Sequence, residues 1–259
     1  MGRMTLLGVG TGVPDVDRDH THMVWEGAAG PVLIDAGGST YQRLLRAGVD
    51  PQQLQGVILT HSHTDHINGL FALVFSMYLA GRRETLPVYG LEPTLALVQR
   101  ILDAFQLEQY AIPITWHPIQ AGDVLSVPGD PDWIIRTAAG DHSRPCLAVR
   151  FEACQQAQAL TYSADTAPCQ QIVDLARGSA ILIHEATTAE PFPGHTTPQQ
   201  AGEIAVAAQV DHLVLVHFSP RWTMSETETL AAVRAGGFAG RVEIGQEYQV
   251  LELEQAGSV

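Results

Sequence analysis

The chain has 259 residues, 46% of them hydrophobic, and this content predicts a folded protein with a sizeable core and excludes an intrinsically disordered one. Its formal net charge of −14, from 28 Asp and Glu against 14 Lys and Arg, disfavours a general nucleic-acid binder, because an acidic surface repels a polyphosphate backbone. Three cysteines without a C-x-x-C pair, and no apolar stretch long enough to span a bilayer, indicate a soluble cytoplasmic protein with reduced thiols.

Short apolar runs alternate with helical patterns along the chain. In chain order the patterns predict a strand at 31–35, a helix at 41–47, a strand at 55–60, helices at 67–80 and 93–105, several strands between 113 and 151, a strand at 160–163, a helix at 168–176, and strands at 180–183 and 213–216. Two more helices are predicted to begin at capping boxes, whose first residues are Thr197 and Ser225.

The two halves of the chain repeat one order of features: a strand, an Asp, a helix, a second strand and a His. The first copy covers 33–61 and the second covers 162–184. This repeat predicts an α/β fold in which two mixed sheets pack face to face with helices outside, an αββα sandwich. No linker or low-complexity segment divides the chain, so we expect a single domain over residues 1–259.

The segment 61–66, H-S-H-T-D-H, places four metal-binding side chains directly after a predicted buried strand. In an extended segment, residues two apart point the same way, so His61 and His63 can hold one ion. Asp65 and His66 fall where a helix begins and can turn toward a second ion. Neutral imidazole and carboxylate together suit zinc, and also manganese or iron. Further polar residues follow other predicted strands and are candidate ligands: His142, Asp165 and His217.

The hexapeptide is similar to the H-x-H-x-D-H signature of the metallo-β-lactamase superfamily. Within that superfamily the chain resembles the ribonuclease Z branch, the tRNA 3′-processing endonucleases, over nearly its whole length. The matching segments are 7–14 (the family's opening), 35–40 (D-x-G-E-G-T in the family), 162–166 (Y/F-S-G-D-T), 184–187 (H-E-A-T), 195–197 (H-S-T) and 217–219 (H-F-S).

This resemblance implies a metallo-β-lactamase fold and a hydrolase with two divalent metal ions, zinc above all, bridged by Asp165. Such a pair of ions can activate water for in-line attack at phosphorus. The resemblance also implies that Asp65 orients or deprotonates the nucleophile, and that His195, hydrogen-bonded to Glu185, protonates the leaving oxygen. The other implied ligands are His61, His63 and His142 for the first ion and Asp65, His66 and His217 for the second.

Three features depart from the ribonuclease Z pattern. The family's flexible arm, which grips tRNA, is inserted between the positions of His142 and Asp165, and here that interval holds little more than one strand and a turn at 146–161. The family's P-x-K-x-R-N loop reads P-D-V-D-R-D at 14–19, so only Arg18 stays basic and three acids would face a phosphate backbone. The whole chain is also acidic. We therefore expect a small anionic substrate, such as a small phosphodiester or a cyclic nucleotide.

Four side chains are candidate substrate contacts. Arg18, His20 and His22 belong to one loop, where binding residues often lie, and Trp222 follows His217 closely. Three other histidines are interpreted as structural: His117, His184 and His212.

Other functions stay open as alternatives. One is a true tRNA 3′-endonuclease, and another is an arylsulfatase or lactonase of the same fold. The pair His195 and Glu185 favours a phosphodiesterase, because a poor alkoxide leaving group needs an acid. A metal-bound sensor without turnover is disfavoured because no candidate ligand is missing, and a redox di-iron protein is a further alternative. The family commonly forms homodimers, for which the candidate interface residues, if they are not core, are Leu70, Phe71 and Phe75.

Overall fold

Two seven-stranded β-sheets pack against each other in the computed structural model, which describes residues 2–107, 110–155 and 158–253. The first sheet contains β1 (Gly2–Gly8), β2 (His22–Gly27), β3 (Gly30–Ile34), β4 (Gly56–Leu59), β5 (Leu86–Gly90), β6 (Ile114–Pro118) and β14 (Val250–Leu253), in the order β14-β1-β2-β3-β4-β5-β6. The second contains β7 (Val124–Val127), β8 (Asp130–Gly140), β9 (Cys146–Ala153), β10 (Ala159–Tyr162), β11 (Ile181–Glu185), β12 (His212–Val216) and β13 (Arg241–Ile244), in the order β13-β12-β11-β10-β9-β8-β7. In each sheet four neighbouring strands run parallel, β3 to β6 in the first and β10 to β13 in the second.

Helices cover the outer face of each sheet. The first sheet carries α1 (Thr40–Arg46), α2 (Thr64–Leu79) and α3 (Glu92–Ala104), and the second carries α4 (Gln170–Ala176), α5 (Pro198–Ala207) and α6 (Glu226–Ala235). A short 3-10 turn occupies Pro51–Gln53. The predicted αββα sandwich is confirmed. Within the described ranges, no helix combines the length and hydrophobicity that a membrane span requires.

The central strands are buried on both faces. In β4, Ile58 lies in the core between the sheets, whereas Val57 and Leu59 pack against the outer helices. In β12, Val214 faces the other sheet and Leu215 faces the helices. A strand buried on both sides needs a continuous apolar run, which is the pattern that made these strands recognisable in the sequence.

Where an element was predicted, the prediction and the structure differ mainly at its ends. The four helices predicted from apolar patterns agree with the structure to within three residues at each end. Both capping boxes, at Thr197 and Ser225, are formed. The helix α2 begins at Thr64, before its apolar pattern, because its first turn carries polar side chains. Five strands were not predicted, namely β1, β2, β5, β13 and β14. The last of these pairs antiparallel with β1.

Candidate metal centre

Polar side chains gather at the end of the sandwich where the parallel strands finish. Asp35 follows β3, His61 follows β4 after one residue, Asp165 follows β10, and His217 directly follows β12. His142 comes from the turn after β8. Because parallel neighbours end at the same edge of a sheet, residues far apart in sequence meet here.

Three residues at these strand ends have a left-handed backbone conformation: Asp35 (φ 58°), Ala164 (φ 50°) and His217 (φ 67°). For a residue with a Cβ atom this conformation costs about 1–2 kcal/mol. Strain of this kind persists only where surrounding contacts hold it, and it concentrates at functional sites. The strain therefore marks the same end of the sandwich as the polar cluster does.

The first group of side chains consists of His61, His63, His142 and Asp165. The Nε2 atoms of His61 and His142 lie 3.1 and 3.0 Å from His63 Nδ1. Each of these two Nε2 atoms also lies 3.8 Å from Asp165 Oδ2. Three imidazole nitrogens thus converge on one point, with a carboxylate beside them.

The second group consists of Asp65, His66 and His217. The Nε2 atoms of both histidines lie 3.6 Å from Asp65 Oδ2. Asp165 reaches this group too, since its Oδ1 lies 3.6 Å from His66 Nε2 and its Oδ2 lies 3.4 Å from His217 Nε2. Asp165 therefore stands between the two groups and contacts both.

The donor atoms of this cluster fit divalent cations. Among the described residues, the buried atoms His66 Nε2, His217 Nε2 and Asp165 Oδ1 have no hydrogen-bond partner, although unpaired buried polar atoms destabilise a protein. Within each group the potential ligand atoms lie within 4.8 Å of one another. A tetrahedral zinc ion with bonds of about 2.0–2.1 Å separates its ligands by about 3.3–3.4 Å, slightly less than most separations seen here. The cluster thus indicates divalent metal binding.

The protonation states of His61, His63, Asp65 and Asp165 suit the same ligand role. Burial, reinforced by neighbouring histidines, lowers the pKa of His61 and that of His63, which keeps both imidazoles neutral. Burial would raise the pKa of Asp165, but the charges of His217 and His66 hold it well below its ordinary value. The pKa of Asp65 is also lowered against burial, by the neighbouring imidazoles of His217 and His66. Neutral imidazole and ionised carboxylate are the forms that bind metal.

Asp35 supports the centre from behind. Its Oδ2 accepts a hydrogen bond from His66 Nδ1 at 2.7 Å, and the backbone N–H of Thr60 donates to its Oδ1 at 2.8 Å. This bond leaves His66 Nε2 for the cluster. Burial would lower the pKa of His66, but Asp35 and Asp165 raise it well above its usual value. Sequence reasoning gave Asp35 no role, although an Asp that ends a buried strand was a usable signal.

Glu185 and His195 form a hydrogen-bonded pair next to the cluster. Glu185 ends β11 and is fully buried, and its Oε1 accepts from His195 Nδ1 at 2.9 Å. Burial would lower the pKa of His195, but the hydrogen bond and charge of Glu185 raise it overall. The ring of His195 lies 5.0 Å from that of His142 and 5.8 Å from that of His217. A partly exposed imidazole with a raised pKa thus stands at the edge of the candidate metal centre.

Comparison with known sequences decides the family. The model of a family described as the beta-lactamase superfamily domain matches residues 31–218. The chain belongs to the β-lactamase superfamily. The Ribonuclease Z of Methanothermobacter thermautotrophicus is 28% identical over 286 aligned residues, which cover 90% of this chain and 91% of that protein. This superfamily member is a hydrolase of the ribonuclease Z-like branch, as its motifs predicted.

Solved structures of the superfamily share the fold. The metallo-β-lactamase fold protein YhfI from Bacillus subtilis superposes with a TM-score of 0.82 at 22% identity, over 96% of this chain and 98% of that one. The short form of human tRNase Z gives 0.79 at 20% identity, over 98% and 100%. A diphosphatase of the PhnP family gives 0.75 at 21% identity, over 98% of each chain. The predicted metallo-β-lactamase fold is confirmed.

In this β-lactamase superfamily member, two of the four predicted substrate contacts lie inside the protein. His22, the first residue of β2, is fully buried, and its Nδ1 lies 2.7 Å from His20 O. Burial lowers the pKa of His22 to about 4. His20 is 8% exposed, and its Nδ1 lies 2.8 Å from Thr11 O. The expectation that both line a pocket mouth is corrected, because both rings bind backbone carbonyls of their own loop. Trp222 and Arg18 are partly exposed.

The acidic loop 14–19 presents fewer free carboxylates than predicted. Asp15 pairs with Arg18 at 3.0 Å. Asp19 is buried and pairs with Arg43 at 2.9 Å, in a cluster that Glu247 completes. The expectation that three acids face a phosphate backbone is therefore wrong, since one turns inward and another is bound to the single basic residue of the loop.

The interval between His142 and Asp165 has no room for a tRNA-binding arm. It contains β9 and β10, which pair antiparallel, with residues 154–158 between them. Strands were predicted at both places, and the described residues of the interval include no inserted domain.

Thr187 joins the acid pair to the candidate metal centre. Its hydroxyl donates to Glu185 Oε2 at 2.6 Å and lies 2.7 Å from His217 Nδ1, whose N–H it can accept. One hydroxyl therefore orients both the carboxylate behind His195 and the ring of His217. The sequence analysis included Thr187 as the last residue of the H-E-A-T motif and assigned it no role.

Replacing Thr187 with Val, which keeps the shape and removes the hydroxyl, should weaken metal binding by about 10- to 100-fold, as losing the hydrogen-bond partner of a ligand does. Thr187→Ser keeps the hydroxyl and should bind metal like the wild type. Competition with a chelator measures both variants. Equal affinities for the Val variant and the wild type would show that Thr187 does not orient His217.

Gly69 allows α2 to lie close to the loop 36–40. A Cβ atom there would lie 2.5 Å from Thr40 Oγ1 and 2.7 Å from Gly38 O. This contact positions the first turn of α2, which carries Asp65 and His66. We expect Gly69→Ala to destabilise the protein by about 1–3 kcal/mol in urea unfolding and to weaken metal binding as well.

The matched control for Gly69→Ala is Ala72→Gly on the exposed side of the same helix. It should cost about 1 kcal/mol through helix propensity alone and leave metal affinity unchanged. If both variants lowered metal affinity equally, general loosening of α2 would be the cause, and the close contact at residue 69 would not matter.

Proposed function

We propose that this chain is a phosphodiesterase that uses water to hydrolyse small phosphodiesters or cyclic nucleotides at a centre completed by two divalent ions. The observation that carries the proposal is the hydrogen-bonded pair of Glu185 and His195 beside the ligand cluster. Hydrolysis of an alkyl phosphodiester expels a poor leaving group, which needs a proton donor at its oxygen. A lactone or aryl sulfate needs such a donor less.

The ligands divide between two ions in this proposal. His61, His63 and His142 would hold one ion, Asp65, His66 and His217 would hold the other, and Asp165 would bridge them, as its distances to both groups support. Mixed imidazole and carboxylate donors favour zinc, with manganese or iron as alternatives. Bound there, such ions supply charge stabilisation and an activated water molecule.

The protein's own groups would perform the proton transfers. Asp65, whose side chain is 13% exposed, would orient the attacking water molecule and accept its proton. His195 uses Nδ1 for Glu185, so its Nε2 would give a proton to the leaving oxygen. Arg18 and Trp222 stay proposed substrate contacts. Arg18 lies with its guanidinium carbon 6.0 Å from the Phe218 ring, next to which Trp222 packs.

A small substrate is supported by charge and by size. The net charge of −14 opposes the many phosphate contacts that a tRNA complex needs. The interval that would carry an arm holds only β9, β10 and their connection in the described residues. Arg18 is already paired with Asp15.

The test is an assay of the purified, zinc- or manganese-loaded protein on bis(p-nitrophenyl) phosphate, beside p-nitrophenyl sulfate, a lactone and a precursor tRNA. Diester turnover that disappears in Asp65→Ala, without tRNA cleavage, is the expected result. Turnover of the sulfate or the lactone alone would remove the phosphodiesterase proposal.

A tRNA 3′-endonuclease is the second candidate. The observation that favours it is the 28% identity to a curated Ribonuclease Z across 91% of that protein. Efficient cleavage of precursor tRNA in the same assay would establish it, and would show that neither the arm nor a basic loop is required.

We also propose a cytosolic homodimer. Three free cysteines suit a reducing compartment.

Of the predicted interface residues, Leu70 is fully buried in the core and is excluded, whereas Phe75 is 37% exposed and Phe71 packs on Phe105, which is 59% exposed. Apolar patches of this kind mark interaction surfaces. Analytical ultracentrifugation should give a dimer that Phe75→Glu converts to a monomer.

A further inference from the structure

A cleft of about 330 Å³ opens beside the candidate metal centre, between the loop 186–197 after β11 and the loop 217–225 after β12. Clefts that bind small ligands measure about 300–1,000 Å³, so this one has room for one ring system and not for an oligonucleotide. Its lining includes Phe192, Trp222, Thr188, Arg221 and Glu190.

The cleft adjoins the side of the centre where the leaving group would depart. The ring of Phe192 lies 6.2 Å from that of His195, with the two planes 28° apart. Thr187, which also lines the cleft, contacts His217 Nδ1 at 2.7 Å. A group held in the cleft would therefore be attached to the oxygen that His195 protonates.

Two aromatic side chains offer flat surfaces to this space. Phe192 is 60% exposed, and such apolar exposure to water is unfavourable unless something covers it. Trp222 packs edge-on against the buried ring of Phe218, with centroids 5.2 Å apart and planes at 77°, which fixes its indole. Aromatic rings beside the candidate metal centre can serve as stacking surfaces for planar ligands.

Polar groups in the cleft match the edges and the charge of a nucleotide. Thr188 Oγ1 is buried without a hydrogen-bond partner among the described residues, so it can pair with the edge of a base. Glu190 can accept a hydrogen bond from an amino group, and the guanidinium of Arg221 can bind a phosphate oxygen.

We infer that this cleft binds the nucleobase of the substrate, stacked on Phe192 and Trp222, on the side of the leaving oxygen. The inference rests on the proposed phosphodiesterase function and narrows its substrates to nucleoside phosphodiesters whose released alcohol carries the base. Water adds to phosphorus, the bond from phosphorus to the nucleoside oxygen breaks, and that oxygen takes the proton of His195.

The experiment compares adenosine 2′,3′-cyclic phosphate with the 2′,3′-cyclic phosphate of methyl riboside, which lacks the base. In the wild type, kcat/KM should be about 5- to 150-fold higher with the base, the range expected for one base stacked on an aromatic ring. Trp222→Ala and Phe192→Ala should each lower this preference by about 5-fold or more, mainly through KM. Tyr110→Ala is the matched control and should keep it, because Tyr110 is an aromatic residue 52% exposed that contacts Tyr78 and does not line the cleft.

A second readout separates the two proposals. Adenosine monophosphate should quench tryptophan fluorescence in the wild type and not in Trp222→Phe. Equal kcat/KM values for both substrates in the wild type would overturn the inference. If neither cyclic phosphate nor bis(p-nitrophenyl) phosphate is hydrolysed but quenching occurs, the phosphodiesterase proposal fails and the base-binding cleft stands. If neither hydrolysis nor quenching occurs, both fail.

Discussion

Asp165→Asn should lower kcat/KM for bis(p-nitrophenyl) phosphate by about 10³-fold or more and reduce bound metal from two ions to one or none. Among the described residues, Asp165 is the one carboxylate within 3.8 Å of nitrogens from both ligand groups, His61 and His142 on one side and His66 and His217 on the other. Neutralising it removes the shared negative charge, and charge stabilisation by such ions is worth several kcal/mol in the transition state. Metal analysis of the dialysed protein gives the stoichiometry.

Asp174→Asn is the matched control for this prediction. Asp174 is an exposed aspartate of α4, and its partners in the described part of the chain are Arg177 and Gln170, both on the surface. The Asp174→Asn variant should retain both ions and wild-type turnover. An Asp165→Asn protein that kept two ions and full turnover would contradict the bridging position inferred from the distances.

His195→Ala should reduce the hydrolysis of an alkyl phosphodiester by about 10²- to 10⁴-fold, the usual contribution of a general acid. It should reduce bis(p-nitrophenyl) phosphate turnover by less than about 10-fold, because p-nitrophenolate leaves without a proton. His117→Ala is the control, since His117 lies on β6, stacked on Tyr89 with centroids 4.7 Å apart, outside the cluster. Equal losses on both substrates would mean that His195 positions the substrate and does not protonate it.

Glu185→Gln should move the alkaline limb of the pH–rate profile to lower pH. Burial lowers the pKa of His195, but Glu185 raises it by more than burial lowers it. The imidazolium therefore persists at pH values above the ordinary pKa of about 6.5. A raised folded-state pKa also means that this pair stabilises the fold below the unfolded pKa, and that the contribution is lost as pH rises through the folded value. Gln removes the negative charge, so the activity and the stabilisation of the fold by this pair should both be lost at a lower pH than in the wild type. An unchanged limb would show that another group controls it.

The sequence by itself determined the architecture and most of the candidate cluster. Strands buried on both faces appear as continuous apolar runs, as at 55–60 and 213–216, and helix starts appear as capping boxes at Thr197 and Ser225. His61, His63, Asp65 and His66 lie within six consecutive residues, so their spacing alone places them in the same part of the molecule. These features are local in the chain, and local patterns can be read without knowing the fold.

Only the tertiary structure decided which residues distant in sequence contact that cluster and which predicted residues lie away from it. The contact of Asp35 with His66 joins residues 31 apart, and that of Thr187 with His217 joins residues 30 apart. The same is true of the buried pair Asp19 and Arg43, which removes an acid from the predicted substrate loop. Whether a polar side chain faces a site, a backbone carbonyl or an ion-pair partner depends on which strands are neighbours and on the directions of their side chains. The residue types alone leave those choices open, so packing settled the burial of His22 and the shape of the cleft at Trp222.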